Sequence, residues 1–235
     1  MIYLDDSEFK IIQGLTARLL GIQLDHSKRQ LVISRLSKRI KDLGLNSFSE
    51  YLELLNNESA GHEELVHFIN RITTNETHFF REQEQFKILE ERVIPNLIMA
   101  QPGKNRMIRI WSSACSSGEE PYSIAFTLLP LSEKNHGFQF KILGTDINSE
   151  VLDFAKTAIY EAKTVERKIS KKGIDFYFKK IDQDHYQVKD HFRRSIDFKQ
   201  LNLLDDRYPI KAKLDIIFCR NVMIYFNEDI KNKII

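Results

Sequence analysis

The first 72 residues place apolar side chains at every third or fourth position and contain no alternating stretch. This spacing gathers the apolar side chains on one face of an α-helix. Ser47 is a candidate N-cap, and Gly44 is a natural stop for the helix before it. The pattern predicts helices over residues 9–20, 32–43, 47–55 and 63–72. Residues 1–72 are therefore expected to form an all-α N-terminal domain.

Residues 73–105 are predicted to be a linker and a bridging helix. A helical pattern runs from Glu82 to Ala100 and is interrupted near Pro95, and Gln101-Pro102-Gly103 then ends it. The pattern changes after this break, so residues 106–235 are expected to form a second domain.

From Met107 onward, apolar runs with strand character alternate with helical patterns. This alternation is typical of an α/β fold, a mostly parallel sheet with helices on its faces. Residues 166–195 interrupt it with an insertion, in which Phe176–Phe178 and Tyr186–Val188 are predicted to pair as short antiparallel strands around a turn at Asp182–Asp184. The sheet strands are predicted at Arg109–Ser113, Phe140–Thr145, Ile196–Asn202 and Leu214–Cys219, and the helices at Pro121–Leu129, Ser149–Thr157 and Glu228–Ile235.

Composition and charge favour a globular protein and argue against a membrane, secreted or metal-binding protein. A net charge of +2 and 42% apolar residues are typical of a globular protein and give no global field for nucleic acid. No apolar run approaches the roughly 20 residues that span a bilayer, and the N-terminus lacks the pattern of a signal peptide. Two cysteines offer no disulfide framework, and seven histidines show no metal-ligand spacing. A cytoplasmic protein without a metal site is expected.

Polar residues follow several of the predicted strands. The first strand leads into a turn of small residues that ends at Gly118, and the second ends at Asp146. An acid at that place commonly accepts hydrogen bonds from ribose hydroxyls. Asn202-Leu203 and Arg220-Asn221 close two further strands, and the carboxyl ends of parallel strands meet at one crevice. The pattern indicates a nucleotide-like ligand, although an ordinary turn with a solvated acid accounts for Asp146 equally well. No G-x-G-x-x-G occurs, which argues against a nicotinamide site.

Two polar stretches have open interpretations. Thr73–Phe86 is dense in polar and aromatic residues, and it is either a solvated helix face or a segment that brings Asn75, Thr77 and Arg81 to the mouth of the crevice. The second helix carries a basic stripe, which is either solvated or docks an acidic partner helix. The stripe consists of Lys28, Arg29, Arg35, Lys38, Arg39 and Lys41.

Five segments together carry a family resemblance. They are TTNETHFFRE (73–82), SSACSSGEEPYSIA (112–125), GTDIN (144–148), LNLLD (201–205) and IFCRNVMIYF (217–226). In order, spacing and sequence they closely resemble the chemotaxis receptor methyltransferases, the CheR family, and the resemblance covers nearly the whole chain.

The resemblance implies a class I S-adenosylmethionine-dependent methyltransferase with a Rossmann-like sheet, an inserted β-subdomain and an all-α N-terminal domain. Its substrates would be glutamate side chains on the cytoplasmic helices of methyl-accepting chemotaxis receptors, and its products glutamyl methyl esters and S-adenosylhomocysteine. Neither nucleic acid nor membrane insertion is implied, and a monomer is expected.

The family pattern also implies roles for residues of this chain. Asn75, Thr77 and Arg81 would contact the methionine end of the cofactor, and Arg81 and Tyr225 would act in methyl transfer. The remaining positions expected to bind the cofactor are Glu119, Asp146 (ribose), Asn202 and Leu203 (adenine), Arg220 and Asn221. A glutamate carboxylate with a pKa near 4.3 is already ionised at neutral pH, so no general base is needed.

Relatives in the family continue beyond the position that matches Ile235 of this chain. The sheet is therefore expected to lack its last strands and to expose a strand edge. Two other functions stay open at this stage. One is a non-catalytic S-adenosylmethionine-binding adaptor or signalling module, and the other is a methyltransferase that acts on nucleic acid or a small molecule.

Overall fold

The chain folds into a helical N-terminal region followed by a parallel sheet with helices on its faces. The structure is a computed structural model and describes residues 2–100, 106–135 and 138–234. The strands are β1 (Arg106–Ser113), β2 (Phe138–Asp146), β3 (Ile159–Glu161), β4 (Phe178–Lys180), β5 (His185–Val188), β6 (Ile196–Gln200) and β7 (Ile216–Cys219). The helices are α1 (Asp6–Leu20), α2 (Arg29–Asp42), α3 (Phe48–Leu55), α4 (Ala60–Ile72), α5 (Glu84–Ile88), α6 (Ile94–Ala100), α7 (Glu119–Asn135), α8 (Ser149–Thr157), α9 (Ala162–Glu166), α10 (Lys171–Tyr177), α11 (Asp190–Arg193) and α12 (Glu228–Ile234).

The four helices predicted before residue 73 are confirmed, and side chains cap the starts of α1 and α3. Asp5 and Glu8 form a reciprocal capping box at α1. Ser47 caps α3 as predicted, because its hydroxyl accepts the N–H of Glu50. Helix α4 begins three residues before the predicted start, since the side chain of Asn57 accepts the N–H groups of Ser59 and Ala60. The apolar faces of these helices share one core with Phe9, Ile12, Val32, Leu36, Ile40, Phe48, Tyr51 and Phe68.

The bridging helix differs from its prediction. It begins at Glu84 rather than Glu82, and a five-residue π-helical turn, Leu89–Val93, precedes Pro95. Pro95 has no N–H, so it cannot donate to the carbonyl four residues earlier as an α-helical residue does. In the turn before it, the N–H of Ile94 donates to the carbonyl of Leu89, which lies five residues earlier. The predicted break at Gln101-Pro102-Gly103 lies outside the described residues.

The central sheet has the order β6-β2-β1-β7, and all of its pairs are parallel. All four predicted strands are present. β6 ends at Gln200 rather than Asn202, because the chain leaves the sheet after it pairs with Asp146. Helix α8 has the predicted bounds, whereas α7 runs past Leu129 and keeps Pro130 inside it. Among the described residues, no helix is both long and apolar enough to cross a membrane.

The predicted insertion is a three-stranded antiparallel sheet of order β3-β5-β4. It begins at Ile159, before the expected residue 166. The prediction that Phe176 and Tyr177 lie in a strand is wrong. They end α10, which Ser170 starts by capping the N–H of Gly173, so only Phe178 enters β4. The predicted turn at Asp182–Asp184 is confirmed, since it joins β4 to β5.

Candidate functional site

A cavity of about 350 Å³ lies outside the carboxyl ends of the central strands. This is the edge at which open α/β sheets bind ligands. It is lined by the end of α1 and the loop after it, by α2, by the linker after α4, by the turn after β1, and by the segments that follow β2, β6 and β7, with Phe86 of α5 and Glu120 of α7. Of the residues expected to form the site, it gathers Asn75, Thr77, Arg81, Asp146, Asn202, Leu203, Arg220, Asn221 and Tyr225.

The turn after β1 is a tight structure built from small residues. Ala114 and Ser116 have φ values of 53° and 50°, in the left-handed region, and Gly118 has a φ of 94°. A Cβ on Gly118 would lie 2.8 Å from the Cβ of Ala155, so the approach of α8 requires glycine there. The N–H of Cys115 donates to the carbonyl of Thr145 at 2.9 Å and ties the turn to β2. The predicted strand, turn and helix are confirmed.

Asp146 ends β2 and lies at the base of the cavity. One carboxylate oxygen accepts the N–H of Ser116 at 2.8 Å, and the other accepts the N–H of Asn148 at 2.9 Å. Burial raises the pKa of Asp146, and the two N–H groups oppose part of that shift. Lone pairs that remain on the oxygens suit a pair of hydroxyl donors, as a ribose would present.

The two consecutive glutamates that open α7 face different environments. Glu119 was expected to bind the cofactor, but it does not line the main cavity. It lies in a second cavity with Tyr160 and His185, and its carboxylate accepts the hydroxyl of Ser117 at 2.6 Å. Glu120 lines the main cavity instead. Successive helix residues project about 100° apart, and here that angle directs Glu119 and Glu120 into different cavities.

Glu120 forms a buried ion pair with Arg220. Its carboxylate accepts Nη1 of Arg220 at 3.0 Å and the hydroxyl of Ser112 at 2.7 Å. Burial raises the pKa of Glu120, while Ser112 and Arg220 oppose the shift. Nε of Arg220 is buried and has no hydrogen-bond partner among the described residues.

Arg220 and Asn221 also hold the linker across the cavity mouth. Nη2 of Arg220 donates to the carbonyl of Arg81 at 2.5 Å, and the side chain of Asn221 donates to Glu82 at 3.1 Å. Glu82 and Asn221 both have positive φ values, 56° and 57°. Backbone in this strained region persists where surrounding contacts over-determine it.

The linker itself is anchored on both sides of Arg81. Phe79 is buried against Tyr160 and Phe178, with ring centroids 4.8 and 5.4 Å apart. The carbonyl of Asn75 accepts the hydroxyl of Ser116 at 2.9 Å. The side chain of Arg81 folds back on the carbonyl of Glu76 at 2.8 Å. Its guanidinium therefore has donors left for a ligand in the cavity.

The wall formed after β6 differs from expectation in one respect. Leu203 is buried in an apolar cluster with Trp111 and Phe226, which suits the flat face of a base. The side chain of Asn202, however, donates to the carbonyl of Leu19 at 2.9 Å and accepts the N–H of Leu204 at 3.0 Å. It joins this wall to α1, a long-range contact that no local pattern reveals.

Part of the basic stripe on α2 belongs to the cavity. Arg35 lines it and donates to the carbonyl of Ile72 and the hydroxyl of Thr74. Lys28 lines it as well, while Lys38 and Lys41 are exposed. Arg39 instead pairs with buried Glu64 at 2.6 Å. Neither open interpretation of the stripe covered these roles, because the contacts of Arg35 and Arg39 are long-range.

The residues around the cavity fit S-adenosylmethionine. Asp146 supplies acceptors for a ribose, the cluster around Leu203 supplies an apolar wall for a base, and Lys28 and Arg81 supply donors for a carboxylate. Cys115 is buried, and burial raises its pKa, so it is not an activated thiol. The described residues contain no group of three side chains able to hold a metal ion.

Comparisons with known proteins agree with this arrangement. Residues 75–235 match the family described as CheR methyltransferase, SAM binding domain, and residues 7–73 match CheR methyltransferase, all-alpha domain. A chemotaxis protein methyltransferase of Borreliella burgdorferi is 41% identical over 91% of this chain and 76% of its own length. Chemotaxis protein methyltransferases 1 and 2 of Pseudomonas aeruginosa are 36% and 39% identical, over 98% and 97% of this chain and 83% and 79% of their own lengths.

Proposed function

This chain belongs to the CheR methyltransferase family, and on that premise we propose that it methylates glutamate carboxylates of chemotaxis receptors. The methyl donor is S-adenosylmethionine. The products would be glutamyl methyl esters on the cytoplasmic helices of the receptors, together with S-adenosylhomocysteine. The relatives named above are chemotaxis protein methyltransferases, which favours this substrate class over a nucleic acid or a small molecule.

The charge of the cavity carries the proposal. Lys28, Arg35 and Arg81 line it, and none of them forms a salt bridge within the described residues. Glu120 is paired with Arg220, so these three cations outnumber the two remaining acids of the lining, Glu76 and Asp146. Opposite charges attract more strongly in a partly buried site than in water. A carboxylate is therefore favoured at the mouth of the cavity.

The chemistry needs little from the protein beyond position. The cofactor supplies a methyl group on a positively charged sulfur, which accepts the bonding electron pair when the carbon–sulfur bond breaks. A glutamate oxygen forms the new bond to carbon, and no proton is released because the carboxylate is already ionised. Holding the reacting groups in line is worth several kcal/mol of the barrier.

Arg81 is the residue proposed to hold the carboxylate. Its planar fork of donors suits the two oxygens of a carboxylate. To reach the substrate it exchanges its bond to the carbonyl of Glu76 for one to the glutamate. Methylation neutralises the carboxylate, so the charge–charge attraction is lost with the product and release is favoured. Tyr225, exposed at the edge of the cavity, is proposed to fix the geometry of the reacting groups.

The exposed lysines of α2 are proposed to meet acidic receptor helices. Lys38 and Lys41 are exposed on the helix that also carries Arg35 into the cavity. A basic face next to the active site would orient an acidic helix toward it and speed encounter.

The test uses this chain, radiolabelled cofactor and a purified receptor cytoplasmic fragment. Base-labile label in the fragment supports the proposal, and its loss when the receptor's acceptor glutamates are changed to alanine identifies the site. Binding of S-adenosylhomocysteine without any label in the fragment would overturn the proposal and favour a non-catalytic adaptor.

A further inference from the structure

Asp146 belongs to a closed ring of hydrogen bonds that includes two residues of the linker, Thr73 and Asn75. Asp146 accepts the N–H groups of Ser116 and Asn148. The hydroxyl of Ser116 donates to the carbonyl of Asn75, and the side chain of Asn75 donates to the hydroxyl of Thr73 at 3.3 Å. Asn148 closes the ring, because its side chain donates to the same hydroxyl of Thr73 at 2.9 Å. One ring therefore links the strand end to the segment that carries Asn75, Thr77 and Arg81.

The side chain of Asn148 makes three hydrogen bonds within the protein, which use both of its N–H donors. Its Nδ2 donates to the hydroxyl of Thr73 and also to the carbonyl of Asn70 at 3.0 Å. Its Oδ1 accepts the N–H of Val151 and so caps α8. Only 1% of Asn148 is exposed, and it does not line the cavity. Any effect of this side chain on a bound cofactor must act through its neighbours.

The N-cap of α8 does not by itself explain why residue 148 is an asparagine. Serine, threonine and aspartate cap helices about as well, since the cap needs only an acceptor. The two bonds from Nδ2 require a donor that those residues cannot supply in the same place. Both bonds go to the end of α4 and the first linker residue, so they join the helical domain to the base of the cofactor cavity.

A second pair of hydrogen bonds, beside the ring, also joins α4 to the start of α8. The side chain of Asn70 accepts the N–H of Ser149 at 3.1 Å and donates to the hydroxyl of Ser149 at 3.1 Å. Asn70 is 7% exposed and also lies away from the cavity. Helix α4 and the start of α8 are thus held by four side-chain hydrogen bonds in a nearly dry interface, where such bonds fix a single arrangement.

We propose that Asn148 is a positioning residue for the cofactor site. It fixes the linker relative to Asp146, so that the two sides of the cavity bind S-adenosylmethionine together. This inference rests on the proposed site residues, and it assigns to Asn148 a role in cofactor affinity without contact with the cofactor.

The decisive variant is Asn148→Ser, which keeps a cap for α8 and removes both Nδ2 donors. Because both bonds that hold the linker next to Asp146 are lost, we expect affinity for S-adenosylhomocysteine to fall about tenfold in calorimetric titration. The matched control is Ser47→Ala, which removes the cap of α3 far from the cavity. It should lower the melting temperature and change the dissociation constant less than twofold.

An Asn148→Ser protein that binds S-adenosylhomocysteine within twofold of the unmodified chain overturns the inference. If Asn148→Ser does not fold, Asn148→Thr keeps a cap and more of the side-chain volume, and the same two outcomes apply to it. Binding is measured without a methyl acceptor, so the result stands whether or not the chain methylates a receptor. If the chain methylates a receptor, the KM of Asn148→Ser for S-adenosylmethionine should rise in parallel with its dissociation constant.

Discussion

The carboxylate of Glu120 lies 3.0 Å from Nη1 of Arg220 and joins the start of α7 to the end of β7, 100 residues away. Both side chains are largely buried, with 14% and 13% of their surfaces exposed. Arg220 also pairs with Glu82 at 3.2 Å, but that carboxylate is half exposed, so removal of Glu120 leaves the charge of Arg220 only weakly compensated. The pair also holds the carbonyl of Arg81 through Nη2 of Arg220.

Glu120→Ala should therefore lower the free energy of unfolding by about 3 kcal/mol. Urea denaturation measures the change, and exposed Glu84→Ala is the control, with an expected change below about 0.5 kcal/mol. A loss of less than about 1 kcal/mol in Glu120→Ala would mean that Glu82 or water compensates the charge of Arg220.

Glu119→Gln should stabilise the protein at neutral pH and leave cofactor affinity unchanged. Burial raises the pKa of Glu119, so in the folded state the carboxylate is disfavoured relative to the unfolded chain. Below the unfolded pKa both states are protonated and the penalty is absent. The penalty grows as the pH rises through the folded pKa, and it is complete above it.

The gain from Glu119→Gln should accordingly be largest near pH 8 and vanish near pH 4. Melting curves of the variant and the unmodified chain across this range measure it. A gain that is the same at both pH values would contradict the assignment of the effect to ionisation of Glu119.

These two glutamates also show where prediction from the sequence stops. The small-residue turn, the strand ends and α8 follow from local patterns, and the structure has all of them. Whether Glu119 or Glu120 faces the cavity depends on where α7 begins, and a shift of one residue turns the side chain by about 100°. Arg35 at the cavity and Asn202 bonded to Leu19 depend on contacts between distant parts of the chain. Periodicity does not encode such contacts.

Asp146→Asn should weaken binding of S-adenosylhomocysteine strongly. The aspartate accepts two backbone N–H groups, one on each oxygen, whereas an asparagine amide would turn its NH₂ toward one of them. In the unmodified chain, affinity should fall as the pH drops through the raised pKa of Asp146, because the protonated acid loses an acceptor.

Titration calorimetry between pH 5 and pH 8 tests both statements about Asp146. The Asp146→Asn protein should show a weaker affinity with little pH dependence over the same range. Equal affinity in the two proteins at pH 8 would remove Asp146 from the binding site.

Arg81→Ala should retain the fold and most of the affinity for S-adenosylhomocysteine while losing about 100-fold in kcat, the loss typical of a misplaced reacting group. The side chain is half-buried at the cavity, and within the described residues its guanidinium bonds only to the carbonyl of Glu76, so little stability depends on it. Arg81→Lys keeps the charge and lacks the fork of donors, so its kcat should lie between those of Arg81→Ala and the unmodified chain.

Initial rates at saturating cofactor, with a receptor fragment as methyl acceptor, measure the effect of the Arg81 variants. If Arg81→Ala turns over as fast as the unmodified chain, Arg81 does not hold the carboxylate.

The exposed lysines of α2 give the last prediction. Lys38→Glu with Lys41→Glu should raise the KM for an acidic receptor fragment several-fold and leave affinity for S-adenosylhomocysteine unchanged, because neither side chain lines the cavity. Added salt should shrink the difference between variant and unmodified chain, since screening acts most on exposed charges. Lys10→Glu, an exposed reversal on α1, is the matched control. Arg39 is unsuitable for this test, because its reversal would break the pair with buried Glu64 and destabilise the domain. A KM that stays the same at low salt would show that this face of α2 does not meet the receptor.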